Sequence, residues 1–309
     1  MKRTLLLWGN LLLLLTFLSH CSASAGKPNS TTSTFQGKQG WIVSASDAKK
    51  LHSQGALFLD VRKKSQWLKQ HVKGSQHTTW QHFSQTKAPN LGKLKTDKNI
   101  LQLYLRALGV SNSRALVIVG DPVGGWGEDG RFVWMLRTLG HNKVSLVDGG
   151  HNALASAGLP MSTTASKAKQ GDFTIKRNAV WEIEKDNLRK SLQQKSKPTL
   201  IDTRELREYK GATPYGESRG GHVPNAIHLY YKDLITSKGL LLTRKQLLEK
   251  LKKKGITPDK AAVAYCTGGV RSAWFVVVLY ELGFKSIKNY AGSMWEWSAG
   301  SKTLYPLKK

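Results

Sequence analysis

Cysteine is scarce in this sequence of 309 residues: only Cys21 and Cys266 occur, which excludes a disulfide framework. Acidic residues are also few, 20 against 48 Lys and Arg, giving a formal net charge of +28. A chain with this field stays soluble and draws in anions of any size. Neither an aromatic-interleaved basic groove nor a recognition motif accompanies the charge, so no specific nucleic-acid partner is expected. The excess reads as surface adaptation or loose contact with anionic envelope surfaces. Long apolar runs are missing. The stretch from Leu5 to Leu18 is broken by Gly9 and Asn10, is too short to cross a bilayer and has no stop-transfer flank. No transmembrane span is expected. His71, His77, His82, His222 and His228 have no metal-ligand spacing, and no metal site is expected.

What stands at the N-terminus reads as an export signal. Lys2 and Arg3 precede the apolar run, and Ala23-Ser24-Ala25 follows it with the small-x-small pattern of a cleavage site. Residues 1–25 are expected to be removed, leaving a periplasmic or secreted chain. The alternative is a lipoprotein anchored at Cys21, in Leu18-Ser19-His20-Cys21, but His20 fits poorly where a small residue is usual. Cleavage after Ala25 leaves one thiol, Cys266, in a compartment where paired thiols oxidise. A lone cysteine there is either a buried bystander or a chemical group.

Hydrophobic residues make up 40% of the chain, enough for a buried core. The sequence also repeats itself. Phe58-Leu59-Asp60-Val61-Arg62 returns as Leu200-Ile201-Asp202-Thr203-Arg204, and His71 and His77 return as His222 and His228 at the same spacing. Leu139-Gly140 followed by Gly149 returns as Leu282-Gly283 followed by Gly292. The period is about 140 residues, the size of a domain. Strand and helix signals alternate in each half. In the second, 198–202 and 261–265 read as buried strands, 243–254 and 272–282 as helices, and 286–290 as a last strand. This predicts an α/β fold of two tandem domains, each a parallel sheet flanked by helices on both faces. The expected boundaries are 26–165 and 181–309, joined by a polar linker at 166–180.

Cys266-Thr267-Gly268-Gly269-Val270-Arg271 lies between a buried strand and an apolar helix, where parallel α/β folds place their sites. The two glycines let successive N–H groups of Thr267, Gly268, Gly269 and Val270 curl inward, and the helix N-terminus behind them favours an anion. Arg271 adds a permanent cation. A thiol at the base of such a bowl should ionise easily. Phosphate cradles of tyrosine phosphatases use Cys-x5-Arg; this loop is Cys-x4-Arg, one residue shorter, and suits a sulfur transferred onto the thiol. An inert buried cysteine would leave the glycine pair and the arginine unexplained.

These motifs resemble the tandem rhodanese family. The second half is similar to its catalytic domain through Asp202-Thr203-Arg204, Glu208-Tyr209-Lys210-Gly211, Gly221-His222-Val223-Pro224-Asn225-Ala226, the cysteine loop and Gly292-Ser293-Met294-Trp295-Glu296-Trp297. The first half resembles the non-catalytic domain through residues 134–141 and Asp148-Gly149-Gly150, with Asp121 where the second half has cysteine.

The resemblance implies a sulfurtransferase of thiosulfate type that needs no cofactor. Cys266 would take sulfane sulfur from a small anionic donor as a persulfide and yield it to cyanide or a thiol. Arg271 would bind the donor's sulfonate, and Arg207 and Arg219 are candidate supporting contacts. The alternatives are a persulfide carrier, a protein-binding module, or 3-mercaptopyruvate as donor. Glu208 argues against the last, because mercaptopyruvate-using relatives tend to carry Arg there.

Overall fold

The computed structural model describes residue 35 and residues 40–309; the expected export signal and its alternative at Cys21 lie outside the described residues. In the first half the elements run β1 (Ile42–Val43), α1 (Ala45–Ser53), β2 (Leu57–Asp60), α2 (Lys64–Lys69), β3 (His71–Val72), β4 (Gln76–His77), α3 (Lys98–Ala107), β5 (Leu116–Val119), α4 (Glu128–Thr138), β6 (Val144–Val147), α5 (Gly150–Ser156) and β7 (Met161–Ser162). Its main sheet has the order β1-β6-β5-β2-β4, with every pairing parallel. The second half runs α6 (Lys185–Leu192), β8 (Thr199–Asp202), α7 (Leu206–Tyr209), β9 (Ile227–His228), α8 (Arg244–Lys253), β10 (Ala262–Tyr265), α9 (Val270–Glu281), β11 (Ile287–Asn289) and α10 (Ser293–Ala299). Its sheet, β11-β10-β8-β9, is also wholly parallel and repeats the order β6-β5-β2-β4.

The period of two in the strands decides which helices cover which face. Leu57 and Leu59 of β2 join a cluster with Leu101 and Leu105 of α3 and Phe132 of α4. Phe58 between them joins Ala48 of α1 and Leu154 of α5 on the other face. In the second sheet Ala262 and Ala264 face α8 and α9, whereas Val263 and Tyr265 face Leu188 of α6 and Met294 and Trp297 of α10. Each sheet is therefore covered on both faces, as the alternation of signals predicts.

The repeated residues are structural twins. Arg62 folds back on Asp60 through Nε and Nη2, and Arg204 does the same on Asp202. His77 and His228 each place Nε2 near the carbonyl of that arginine, 2.9 and 2.8 Å away. His71 stacks on Trp67 and His222 on Tyr209. These histidines hold turns and strand ends. The segment 163–178 has no helix or strand, yet it is pinned by backbone bonds: Phe173 N–H donates to Val110 and Asn178 N–H to Thr138. It is a strap laid along the first half.

The two halves share one continuous apolar cluster, because α4 crosses α9 where Gly127 and Gly130 meet Trp274. A Cβ on Gly130 would lie 2.3 Å from Trp274 Cα, and one on Gly127 2.8 Å from Trp274 Cβ. Helix α9 is buried almost all round, covered by its own sheet and by α4. Polar contacts complete the seam: Leu241 N–H donates to Asp148 at 2.8 Å, and the backbone N–H groups of Trp41 and Ile42 donate to buried Glu281. Gly130→Ala has no room except by moving one helix off the other. It is expected to cost about 1–3 kcal/mol, read as a lower urea midpoint; an unchanged midpoint would show that the crossing is not tight.

Candidate active site

Strand β10 carries Cys266 to its carboxyl end, and the loop Thr267–Gly269 turns at once into α9. The helix begins at Val270, two residues earlier than the apolar pattern alone predicts. Gly269 causes this: at φ +77° it reverses the chain, so Arg271 falls in the first helical turn. Gly268 is needed for another reason, since a Cβ there would meet the Trp295 ring at 2.0 Å. The loop is held from behind by the start of α10. Met294 N–H donates to the Cys266 carbonyl and Trp295 N–H to that of Thr267, while the Ser293 hydroxyl accepts from Cys266 N–H at 3.0 Å.

The sulfur lies at the base of this turn, 1% exposed. Gly269 N–H donates to Sγ at 3.1 Å and the Ser272 hydroxyl lies 3.5 Å away. Burial by itself pushes the thiol pKa up. The Arg271 charge, the Ser272 hydroxyl and the Ser272 and Gly268 N–H groups outweigh it and leave the thiol below its ordinary value. This is the property a sulfur nucleophile needs.

Arg271 is 3% exposed and does not stand free. Its Nη1 and Nη2 donate to Glu208 at 2.6 and 2.8 Å, a bidentate pair, and Nη2 also donates to the Thr267 hydroxyl at 2.6 Å. The guanidinium lies over the Trp126 and Tyr215 rings, 5.1 and 5.7 Å from their centroids. Burial opposes ionisation of Glu208, but Arg271 overrides it and holds the carboxyl below its usual range. Arg271 therefore borders the thiol and lines the cavity in front of it, with its fork turned onto Glu208. The physical reason is geometric: a fully buried carboxylate one strand away needs a partner, and Arg271 is the fork in reach.

Thr267 is buried and hydrogen-bonds Glu208 and Glu217; Gly268 and Val270 line the cavity with it. Arg207 is exposed and pairs with Glu205, touching the site only through the Tyr215 hydroxyl at 3.3 Å. Arg219 is elsewhere. It donates to the carbonyls of Ser298, Trp297, Gly300 and Tyr305 and closes the end of α10.

The cavity, of about 260 Å³, lies between the halves. Trp80, Gln81, Trp126 and Glu128 come from the first half, facing Tyr215, Trp295 and the loop. Sequence reasoning missed these first-half residues. The repeat held the signal: counted back from Leu139-Gly140 and Leu282-Gly283, Glu128 falls where Arg271 does. Two helix N-termini thus bring residues of opposite charge to the lining of one cavity, Arg271 turned onto Glu208 and Glu128 accepting from Trp126 N–H. Burial raises the Glu128 pKa, and nearby Asp121 adds to the effect. Asp121, at the end of β5, accepts from Gly124 N–H and from Gln66 and offers no nucleophile. Among the described residues no group of three or more His, Cys, Asp or Glu could hold a metal ion, and no helix is long and apolar enough to cross a membrane.

A family model for the rhodanese-like domain matches residues 44–157 and again 185–300. The chain belongs to the rhodanese family, as a tandem-domain member. A sulfur carrier protein, TtuD, of Thermus thermophilus is 28% identical over 74% of this chain and 82% of its own length. A thiosulfate sulfurtransferase of Pseudomonas aeruginosa is 27% identical over 83% and 93%. A 3-mercaptopyruvate sulfurtransferase of Mus musculus is 26% identical over 63% and 66%. Among solved structures, YnjE superposes with a TM-score of 0.75 at 19% identity, covering 87% of this chain and 68% of that one. Wild-type EanB does so with 0.75 at 18%, covering 87% and 69%. These likenesses carry the fold. The curated relatives associate this rhodanese with sulfur transfer in general.

The Arg271–Glu208 pair sets the expected behaviour of its variants. Arg271→Ala strands a buried carboxylate and should cost about 3–5 kcal/mol of stability. Arg271→Met with Glu208→Gln should regain most of it in urea unfolding. A single variant as stable as the parent would contradict the buried pair.

Proposed function

We propose that this rhodanese moves sulfane sulfur from thiosulfate to cyanide or a thiol through a persulfide on Cys266, and that it does so as an exported protein. The observation that carries the reading is the environment of Sγ: a buried sulfur at a strand end, with Gly269 N–H aimed at it and its pKa held down. The Cys266 thiolate attacks the outer sulfur of thiosulfate. The new S–S bond forms as the old one breaks, and the electron pair leaves with sulfite. Cyanide or a thiolate then takes the terminal sulfur, and Cys266 leaves as thiolate. Neither step needs a redox partner or a net proton. The loop amides and the α9 N-terminus suit the developing negative charge.

In this reading Arg271 supplies field more than direct contact, because its fork is occupied. The donor's sulfonate meets the loop N–H groups, Gln81 and the edge of the guanidinium. Glu128 stands opposite. With its carboxyl protonated it leaves the cavity open to a dianion; ionised, it repels one. Glu208 supports thiosulfate over 3-mercaptopyruvate, since it already occupies the arginine that would pair a substrate carboxylate. A carrier without turnover is the second reading, favoured by the depth of Cys266, which leaves only a small acceptor or an extended chain able to reach it.

Thiocyanate formation from thiosulfate and cyanide tests the proposal. Turnover is expected, and Cys266→Ser should retain below about 1% of it, a hydroxyl being a far poorer sulfur nucleophile. Absence of turnover by a folded protein that accepts one cyanide-labile sulfur from a persulfide donor, but not from thiosulfate, would establish the carrier reading instead. Activity in Cys266→Ser would remove the cysteine from the mechanism.

A further inference from the structure

Arg131 lies on α4, in the half without the cysteine, and is 1% exposed. Its guanidinium crosses the seam. Nη1 donates to the Gly269 carbonyl at 3.1 Å, and Nη2 donates to the Ser84 hydroxyl at 3.0 Å and the Gly92 carbonyl at 2.6 Å. The Trp134 ring lies 4.7 Å from its centre. Nε is buried with no hydrogen-bond partner. Among the described residues it makes no ion pair with a carboxylate within 4 Å. A buried cation held only by carbonyls, a hydroxyl and an indole is costly unless a negative charge shares the volume.

Such a charge is within the same small structure. Gly269, whose carbonyl Arg131 holds together with Asn289 Nδ2 at 3.2 Å, is the residue whose N–H points at Cys266 Sγ. Gly92, the other carbonyl partner, backs onto the loop so closely that a Cβ there would be 2.7 Å from the Gly268 oxygen. Arg131, Ser84 and Gly92 thus form a floor under the loop Thr267–Gly269, and the first half builds it. We propose that Arg131 is a positioning residue for the thiol: from the half without a nucleophile, it fixes Gly269 against Sγ and supplies the second buried positive charge that the Cys266 anion, thiolate or persulfide, balances. Burial lowers the Arg131 pKa to about 10, while the Cys266 and Glu182 charges act to raise it, which is the reciprocal effect.

The inference rests on Cys266 being the reactive anion, as proposed above, and its test reads that anion without a sulfur donor. Iodoacetamide alkylation of Cys266 is followed against pH in the full chain, beside kcat, KM for thiosulfate and Tm. The other charged groups about the sulfur and Arg131 are Arg271, with Glu208 behind it, Glu217 at Thr267, Glu182 near Arg131 and Glu128 across the cavity; all stay in place. Arg131→Gln should move the alkylation midpoint up by about one pH unit and lower kcat about tenfold, with KM changed less than threefold. A midpoint in its original place with only Tm lowered would overturn the proposal, leaving Arg131 as packing. If Arg131→Gln does not fold, Arg131→Lys decides. It keeps the charge and loses the fork, so the midpoint should stay while kcat falls several-fold; an unchanged kcat would overturn the positioning role. A shifted midpoint in a protein inert to thiosulfate would leave this inference standing and remove the donor. An unshifted midpoint in an active enzyme would do the reverse.

Discussion

The crossing of α4 over α9 is the constraint on which the rest depends. Gly127 and Gly130 leave no side chain where Trp274 passes, so the two helices approach to backbone distance. Each helix begins at the carboxyl end of its own strand, β5 or β10. Their close crossing brings both N-termini to one cavity. The family's duplicated fold would otherwise have two separate clefts. Here one cleft is shared, with the thiol on one wall and Glu128, Trp80 and Trp126 on the other. The half without a cysteine also brings its helix N-terminus, with Glu128, to the lining of that cleft.

Electrostatics in the cleft follow from burial. Burial at 1% exposure by itself pushes the Cys266 thiol pKa up. Opposition comes from the Arg271 charge and from N–H and O–H groups fixed around Sγ. Arg271 is itself stabilised by Glu208, so it contributes a damped but immobile field. The arrangement trades a loose, exposed cation for a rigid one, and rigidity suits the proposed role of stabilising one negative charge before and after sulfur transfer.

Much of this was legible in the chain. Cys266, its glycine pair and the strand–helix context follow from local pattern, because backbone curling needs Gly at fixed offsets from the cysteine. The duplication was legible because His71 and His222, and Asp60 and Asp202, have the same local duties. Other features depend on contacts far apart in sequence. Nothing local tells that Arg219 closes α10 some 80 residues on, or that Glu208 takes the Arg271 fork across the loop. Arg131 reads as one more cation in a basic chain; only the crossing, set by Gly127 and Gly130, reveals that it faces Gly269. The early start of α9 was hidden because its first turn holds Arg271, a buried cation that breaks the apolar pattern.

Cys266 is proposed to be a sulfur nucleophile held ready as an anion. Intact mass of the purified protein, before and after incubation with thiosulfate and again after cyanide, tests it most directly. The claim predicts a gain of one sulfur atom per chain, mapped to the peptide containing Cys266 and lost on cyanide treatment. No gain in a folded protein whose thiol is free, or a gain that persists in Cys266→Ser, would contradict it.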